Sequence, residues 1–232
     1  MQRAMPKNSS GIISSLVSKL KIGSYIPTPD VVLRSKNVTS EKVGFTVSSL
    51  KNVRMSLKSV LVKNNHKILP NARIYIITIV TDDISSNPLC INSHLFEGIG
   101  DGDYLPLGPV GLDIYRSPRD KLPFFLDYRI MVMKSDKVKR EIGELICGIQ
   151  DDTAYKSLFS EVLKLLAASD PKSAVIIKAA NIVMEIIGKK LKMAKDDQLI
   201  YIAGSLVQSD YDFKEYTVPS RYAEVLLKLG EW

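Results

Sequence analysis

Residues 72–83 read ARIYIITIVTDD, a run that is apolar at odd and even positions alike before it stops at Asp82 and Asp83. A strand that is apolar on both faces belongs in the middle of a sheet, because an outer face would otherwise expose half of it. The chain around it keeps a period of two. VGFTVSSL places Phe45 and Val47 on one face, and NVRMSLKSVLV does the same with Val53, Met55 and Leu57, leaving Arg54, Ser56 and Lys58 opposite. GLDIYR, FFLDYRIMVM and DDQLIYIAGSLVQSDYDFKEYTV continue as strands.

Helical spacing comes in one block. DDTAYKSLFSEVLKLLAASD offers a cap at Asp152 or Thr153 and a stripe of Leu158, Phe159, Val162, Leu165 and Leu166. DPKSAVIIKAANIVMEIIGKKLK has Pro171 near its start, a broad apolar stripe and Gly188 before a basic end. Helices grouped in this way do not alternate with strands as βαβ units require. The expectation is a mainly β protein: an antiparallel β-sandwich with a helical hairpin inserted at about 151–193. The second helix is apolar around most of its circumference, which calls for burial on more than one side: between the sheet and its hairpin partner, as the simplest case, or at an oligomer interface or in a membrane. SRYAEVLLKLGEW reads as a short closing helix. ISSNPLCINSHLFEGIGDGDYLPLGPVG, rich in Gly and Pro, reads as a long loop.

The first 30 residues read as a separate, flexible basic tail, with a single domain over 31–232. In GIISSLVSKLKIG, Ile13, Leu16 and Leu20 share a helical face with Ile12 and Val17, while Lys19 and Lys21 lie opposite, and Gly23 closes the turn. The linker YIPTPD excludes helix through its two prolines. A short basic amphipathic helix on such a tether suits a membrane interface or a partner's groove, or folds back on its own domain.

No apolar run reaches the roughly 20 residues that span a bilayer, and the N-terminus lacks a continuous apolar signal segment. A cytoplasmic protein, peripheral to a membrane, is expected. Cys90 and Cys147 are too few for a disulfide framework, and neither they nor His66 and His94 have metal-ligand spacing. The net charge of +7 is unevenly spread: residues 1–73 hold thirteen Lys/Arg against Asp30 and Glu41, net +11, and the remainder is −4. Such an imbalance points to an anionic partner, whether lipid surface, nucleic acid, an acidic protein or a neighbouring copy; a basic face kept only for solubility is the simpler explanation.

Acids recur at strand ends. GIGDGDYL is the best place for a hard cation such as calcium, because Asp101 and Asp103 flank glycines that let carbonyls turn inward. It lacks the Glu of an EF-hand loop, and Asp also caps helices and starts turns. Beyond it, LDYRIMVMKSDKVKREIGELI resembles the part of protein kinase C-type calcium- and lipid-binding domains in which a strand ends in Asp-x-Asp and Ile-Gly begins the next. Asp136 matches the second acid and Ile142 and Gly143 the restart, while Lys134 replaces the first acid. The resemblance implies an eight-stranded antiparallel sandwich that docks on membranes or proteins, with calcium in doubt at this loop.

Catalytic signatures are absent: there is no GxSxG, no P-loop and no dinucleotide fingerprint opening a helix. The leading expectation is a non-enzymatic binding or structural protein whose basic third meets an anionic membrane, self-associating as a matrix or coat-type layer. Its contacts would be Ile13, Leu16, Lys19, Leu20 and Lys21 on the tail and Arg54, Lys58 and Lys63 on the strand face. A nucleic-acid-binding structural protein using the same charges is the alternative, although few aromatics interleave them. A metal-dependent hydrolase built on Asp101, Asp103 and Asp136 is the third.

Overall fold

The computed structural model describes residues 31–34, 52–65, 72–85, 89–135, 172–194, 196–208, 211 and 214–231, with isolated positions between 144 and 160. The expected tail helix, the strand at 43–50, Asp136 and most of the first hairpin helix lie outside the described residues.

The elements are β1 (Val31–Arg34), β2 (Arg54–Val62), β3 (Ala72–Asp82), β4 (Leu89–Ile99), β5 (Leu112–Arg116), β6 (Phe125–Ser135), α1 (Lys172–Ala194), β7 (Asp197–Val207), β8 (Lys214–Pro219) and β9 (Ala223–Gly230). One sheet runs β1-β7-β6-β3-β4, antiparallel except that β1 lies parallel to β7. The other runs β5-β2-β9-β8 and is antiparallel throughout. The protein is therefore mainly β, two packed sheets with a helix against the outer face of the first.

That layering follows from residue parity. On β3, Ile74, Ile76 and Val80 join the core between the sheets, while Tyr75, Ile77 and Ile79 join a second cluster under α1. β6 divides likewise, with Leu126, Tyr128, Ile130 and Val132 inside the sandwich and Met131 and Met133 beneath the helix. Burying each such side chain is worth about 1.5–3 kcal/mol, so both faces of the first sheet carry stabilising weight. The central-strand reading of residues 72–83 holds for this reason: β3 sits between β4 and β6, with a layer on each side. On α1, Ile182 to Gly188 are buried without a break, matching the broad apolar circumference of its sequence. Val183, Ile187 and Leu191 are among the residues that pack in the cluster with β3, β6 and β7; the hairpin partner expected to cover α1 lies among the residues not described.

A bulge sits in β2. Its pairing with β9 passes from Leu57↔Leu227 to Ser59↔Leu226, skipping Lys58. One extra residue exchanges the faces of a strand. Val53, Met55 and Leu57 point into the core before it, Val60 and Val62 after it.

Three expectations are corrected. The closing segment is the strand β9, not a helix: Ala223, Val225, Leu227 and Leu229 are buried and alternate with half-exposed Glu224, Leu226, Lys228 and Gly230. Leu, Lys and Glu favour helices, but period-two burial between β2 and β8 decides the outcome. Within the expected long loop, β4 pairs along β3 from Leu89 to Ile99. After β6 the expected strand restart gives way to helix at Glu144, Cys147 and Gly148. There Ile142, Leu145, Ile146 and Ile149 recur at three- and four-residue steps, which is helical spacing.

Candidate functional site

The strand cations do not stand alone. Arg54 Nε is paired with Asp113 Oδ1, and Arg116 Nε donates to Asp113 Oδ2 at 2.6 Å, so one carboxylate on β5 serves two guanidinia. Lys63 Nζ meets Glu224 at 2.9 Å, and Lys228 meets Glu215 at 3.3 Å across β8 and β9. Pairs this exposed add only about 0–1 kcal/mol each, but they cancel much of the charge that the sequence of β2 shows by itself. Because β9 and β5 supply the acids, a helix over 220–232 hides Glu224; the alternation of Glu224, Leu226 and Lys228 with Ala223, Val225, Leu227 and Leu229 is the signal that finds it. Lys58, at the bulge, instead donates to the Val110 carbonyl at 3.1 Å.

That last contact belongs to a loop, residues 100–111, laid along the edge of β2. Gly102 N donates to Val62 O, Val62 N to Asp103 O and Leu105 N to Val60 O, at 2.7, 2.9 and 2.9 Å. Leu105 is buried and anchors the loop, while Tyr104 and Val110 are 63% and 60% exposed. Gly111 ends it at φ +78°, and a Cβ there would stand 2.3 Å from the Leu57 carbonyl oxygen. Only glycine lets the chain turn this tightly over the bulge. The result is a ridge bonded to β2 that holds two large apolar side chains in water, Tyr104 opposite Leu61 and Val110 at the residue whose carbonyl takes Lys58. Sequence reading assigned this stretch to a cation site and did not see the ridge.

The strand-end acids act as fasteners. Asp101 Oδ1 accepts from Asn65 N and Asp103 Oδ2 from Gly100 N, both at 2.7 Å. Asp82 Oδ1 accepts from Ile84 N and Ser85 N at 2.8 and 2.6 Å, an Asx-type turn. Asp83 Oδ1 takes Phe125 N at 3.2 Å, tying the exit of β3 to the entry of β6. Asp196, at the entry to β7, accepts from Tyr75 Oη and Ser135 Oγ, each at 2.7 Å. Among the described residues no group of three or more His, Cys, Asp or Glu side chains is placed to hold a metal ion. His94 lies on β4, where burial holds its pKa below the usual imidazole value.

Among the described residues, one ion pair has its carboxylate fully buried. Asp127 and Arg129, on the α1 side of β6, meet at 2.9 Å with the carboxylate fully enclosed. Ser205 Oγ donates to Asp127 at 2.7 Å, and Arg129 Nη2 reaches Asn181 of α1 at 3.4 Å. Burial pushes the Asp127 carboxyl up to about 6, opposed by Arg129 and Ser205. The pair ties β6, β7 and α1 together on the helix side of the first sheet.

Ile13, Leu16, Lys19, Leu20 and Lys21 lie outside the described residues, as does Asp136. No helix among the described residues is long and apolar enough to cross a membrane. No protein-family model matches the chain, and no curated protein does.

Proposed function

We propose that this protein is a binding or structural module that docks on an anionic membrane surface without needing calcium. The exposed Tyr104 and Val110 of the 100–111 ridge, with Lys58 of β2 bonded to the Val110 carbonyl, carry the reading. Apolar side chains that enter the headgroup region next to a lysine combine the two terms of interfacial binding, buried apolar area and attraction to anionic lipid. The net charge of +11 over residues 1–73 supports it from the sequence. In this reading the tail helix supplies a second contact through Ile13, Leu16 and Leu20 with Lys19 and Lys21, and two weak contacts on one chain reinforce each other. Copies packed side by side on the surface form a matrix-type layer in the cytoplasm.

Flotation with phosphatidylcholine vesicles, with and without phosphatidylserine, tests this. The full chain should float only with the anionic vesicles, and less well at high salt. A chain lacking residues 1–24 should bind more weakly; equal binding by both forms would remove the tail from the mechanism. Failure of the full chain to float, with salt-sensitive binding to nucleic acid instead, would replace the membrane by nucleic acid.

A further inference from the structure

Among the described strands, β1 and β4 end the first sheet and β5 and β8 the second, each with a neighbour on one side only. Such an edge offers a row of N–H and C=O groups to any strand that comes near, and proteins ordinarily blunt it by short length, charge or proline. Three of these four edges are blunted. β1 has four residues and β5 five, the latter with Asp113 and Arg116, while β8 carries Lys214, Glu215 and Pro219.

β4 is not blunted. It runs eleven residues, Leu89–Ile99, without lysine, arginine or proline, and its strand partner is β3 alone. Among the described residues, no turn or loop backbone bonds its outer edge. Its one acid, Glu97, meets Arg73 at 3.3 Å, and the lowered pKa of His94 leaves that ring uncharged at neutral pH. Leu95 packs on the helix side and Phe96 on the sandwich side, and both are only partly buried. The second sheet leaves open space beside Cys90 and Asn92.

A strongly charged strand finds nothing to pair with along this edge, whereas β4 is complementary to itself. Two copies of one edge meet antiparallel about a two-fold axis, and the axis must pass through a residue for outward-pointing backbone groups to meet one another. The regular part of β4 ends at a bulge: pairing with β3 passes from Ile74↔Phe96 to Ala72↔Ile99, and Gly98 takes φ +73°. The stretch 89–97 remains, with exposed Ser93 at its midpoint. A two-fold at Ser93 sets Leu95 opposite Ile91 of the second copy, Phe96 opposite Cys90 and His94 opposite Asn92. The two Glu97 side chains then stand about 27 Å apart along the strands, so no like charges meet.

We infer that β4 pairs antiparallel with β4 of a second copy about a two-fold axis at Ser93, joining two five-stranded sheets into one. The pairing gives Leu95 and Phe96 the cover they lack within one chain. It goes beyond membrane docking: it needs no lipid, and its failure would leave vesicle flotation as expected above.

Sedimentation of the full chain without lipid should show a monomer–dimer equilibrium at micromolar concentration. Ser93→Lys sets two ammonium groups against each other at the axis and should raise the dimer dissociation constant about tenfold or more. Its unfolding midpoint, extrapolated to monomer, should match the parent, since Ser93 is exposed. Ser93→Cys should be joined to its mate by a short bis-maleimide, with the parent chain giving the background from Cys90 and Cys147. Glu97→Cys, also exposed but far from its mate, should not rise above that background. The inference is overturned by a chain that stays monomeric throughout the micromolar range, or by a dimer indifferent to Ser93→Lys. It is equally overturned if Glu97→Cys is cross-linked and Ser93→Cys is not.

Discussion

The ring of Tyr128 fills the space over Gly204, its direct partner across β6 and β7. A Cβ on Gly204 would lie 2.3 Å from both Cζ and Oη of Tyr128, and the ring is fully buried in the core between the sheets. Gly204→Ala should therefore lower stability in urea by about 3 kcal/mol, because neither the ring nor the strand has room to retreat. Shortening the ring in a Tyr128→Leu background should make the same alanine much cheaper, so the two changes will be strongly non-additive. A Gly204→Ala protein as stable as the parent would show that the ring has another place to go.

Asp127 predicts a pH dependence. Its carboxyl titrates at about 6 in the folded chain and near 3.8, the ordinary value for an aspartate, when unfolded. Between those values the folded state holds the extra proton, so stability rises as pH falls through this window and is lost as pH rises through about 6. The span corresponds to about 3 kcal/mol. Asp127→Asn should flatten this part of the profile relative to the parent. Parallel curves for the two proteins, from urea midpoints at about pH 4 to 7, would rule out an elevated Asp127.

The two glycines of the ridge make an internal comparison. Gly108 and Gly111 both have φ +78°, but nothing lies within 4 Å of a Cβ at Gly108, whereas one at Gly111 meets the Leu57 carbonyl. Gly108→Ala should cost about 1 kcal/mol for its backbone conformation alone. Gly111→Ala should cost distinctly more and loosen the ridge from β2, seen as faster amide exchange at Val62 and Leu105. Equal costs would mean that the bulge yields.

Tyr104→Ser and Val110→Ser should each leave the unfolding midpoint within about 0.5 kcal/mol of the parent, since both side chains are exposed. Each should weaken partition onto phosphatidylserine vesicles about tenfold, and Lys58→Glu should steepen the loss at low salt. Undiminished partition by the double serine variant would take the ridge out of the contact.

Much of the layering was legible because β3 declares itself: a strand apolar at every parity needs cover on both faces, and it has it. β2 was legible up to Leu57, where the bulge at Lys58 exchanges its faces. No period-two reading anticipates an extra residue. β9 was misread because Leu, Lys and Glu are good helix formers, and its neighbours on the second sheet, which overrule them, are distant in sequence. That misreading carried into the site. The charges of Arg54 and Lys63 looked uncompensated because Asp113 and Glu224 come to them only through strand pairing. The exposure of Tyr104 and Val110 is likewise set by the path of the loop along β2, which composition does not encode.

β9 lies in the middle of the second sheet, between β2 and β8, although it is the last of the strands in sequence. Val60 faces Val225 across that pairing, so the partner of β2 is synthesised long after β2 itself. On a ribosome adding about 5–20 residues per second, β2 waits many seconds for it. Until β9 is made, the inward faces of β3, β6 and β7 have only β2 and β5 to close against, because β8 joins the second sheet through β9. Closing a loop of this length is also slow in refolding from denaturant. A nascent chain stalled before Ala223 should therefore be a client for holding chaperones, and one released beyond Gly230 should not.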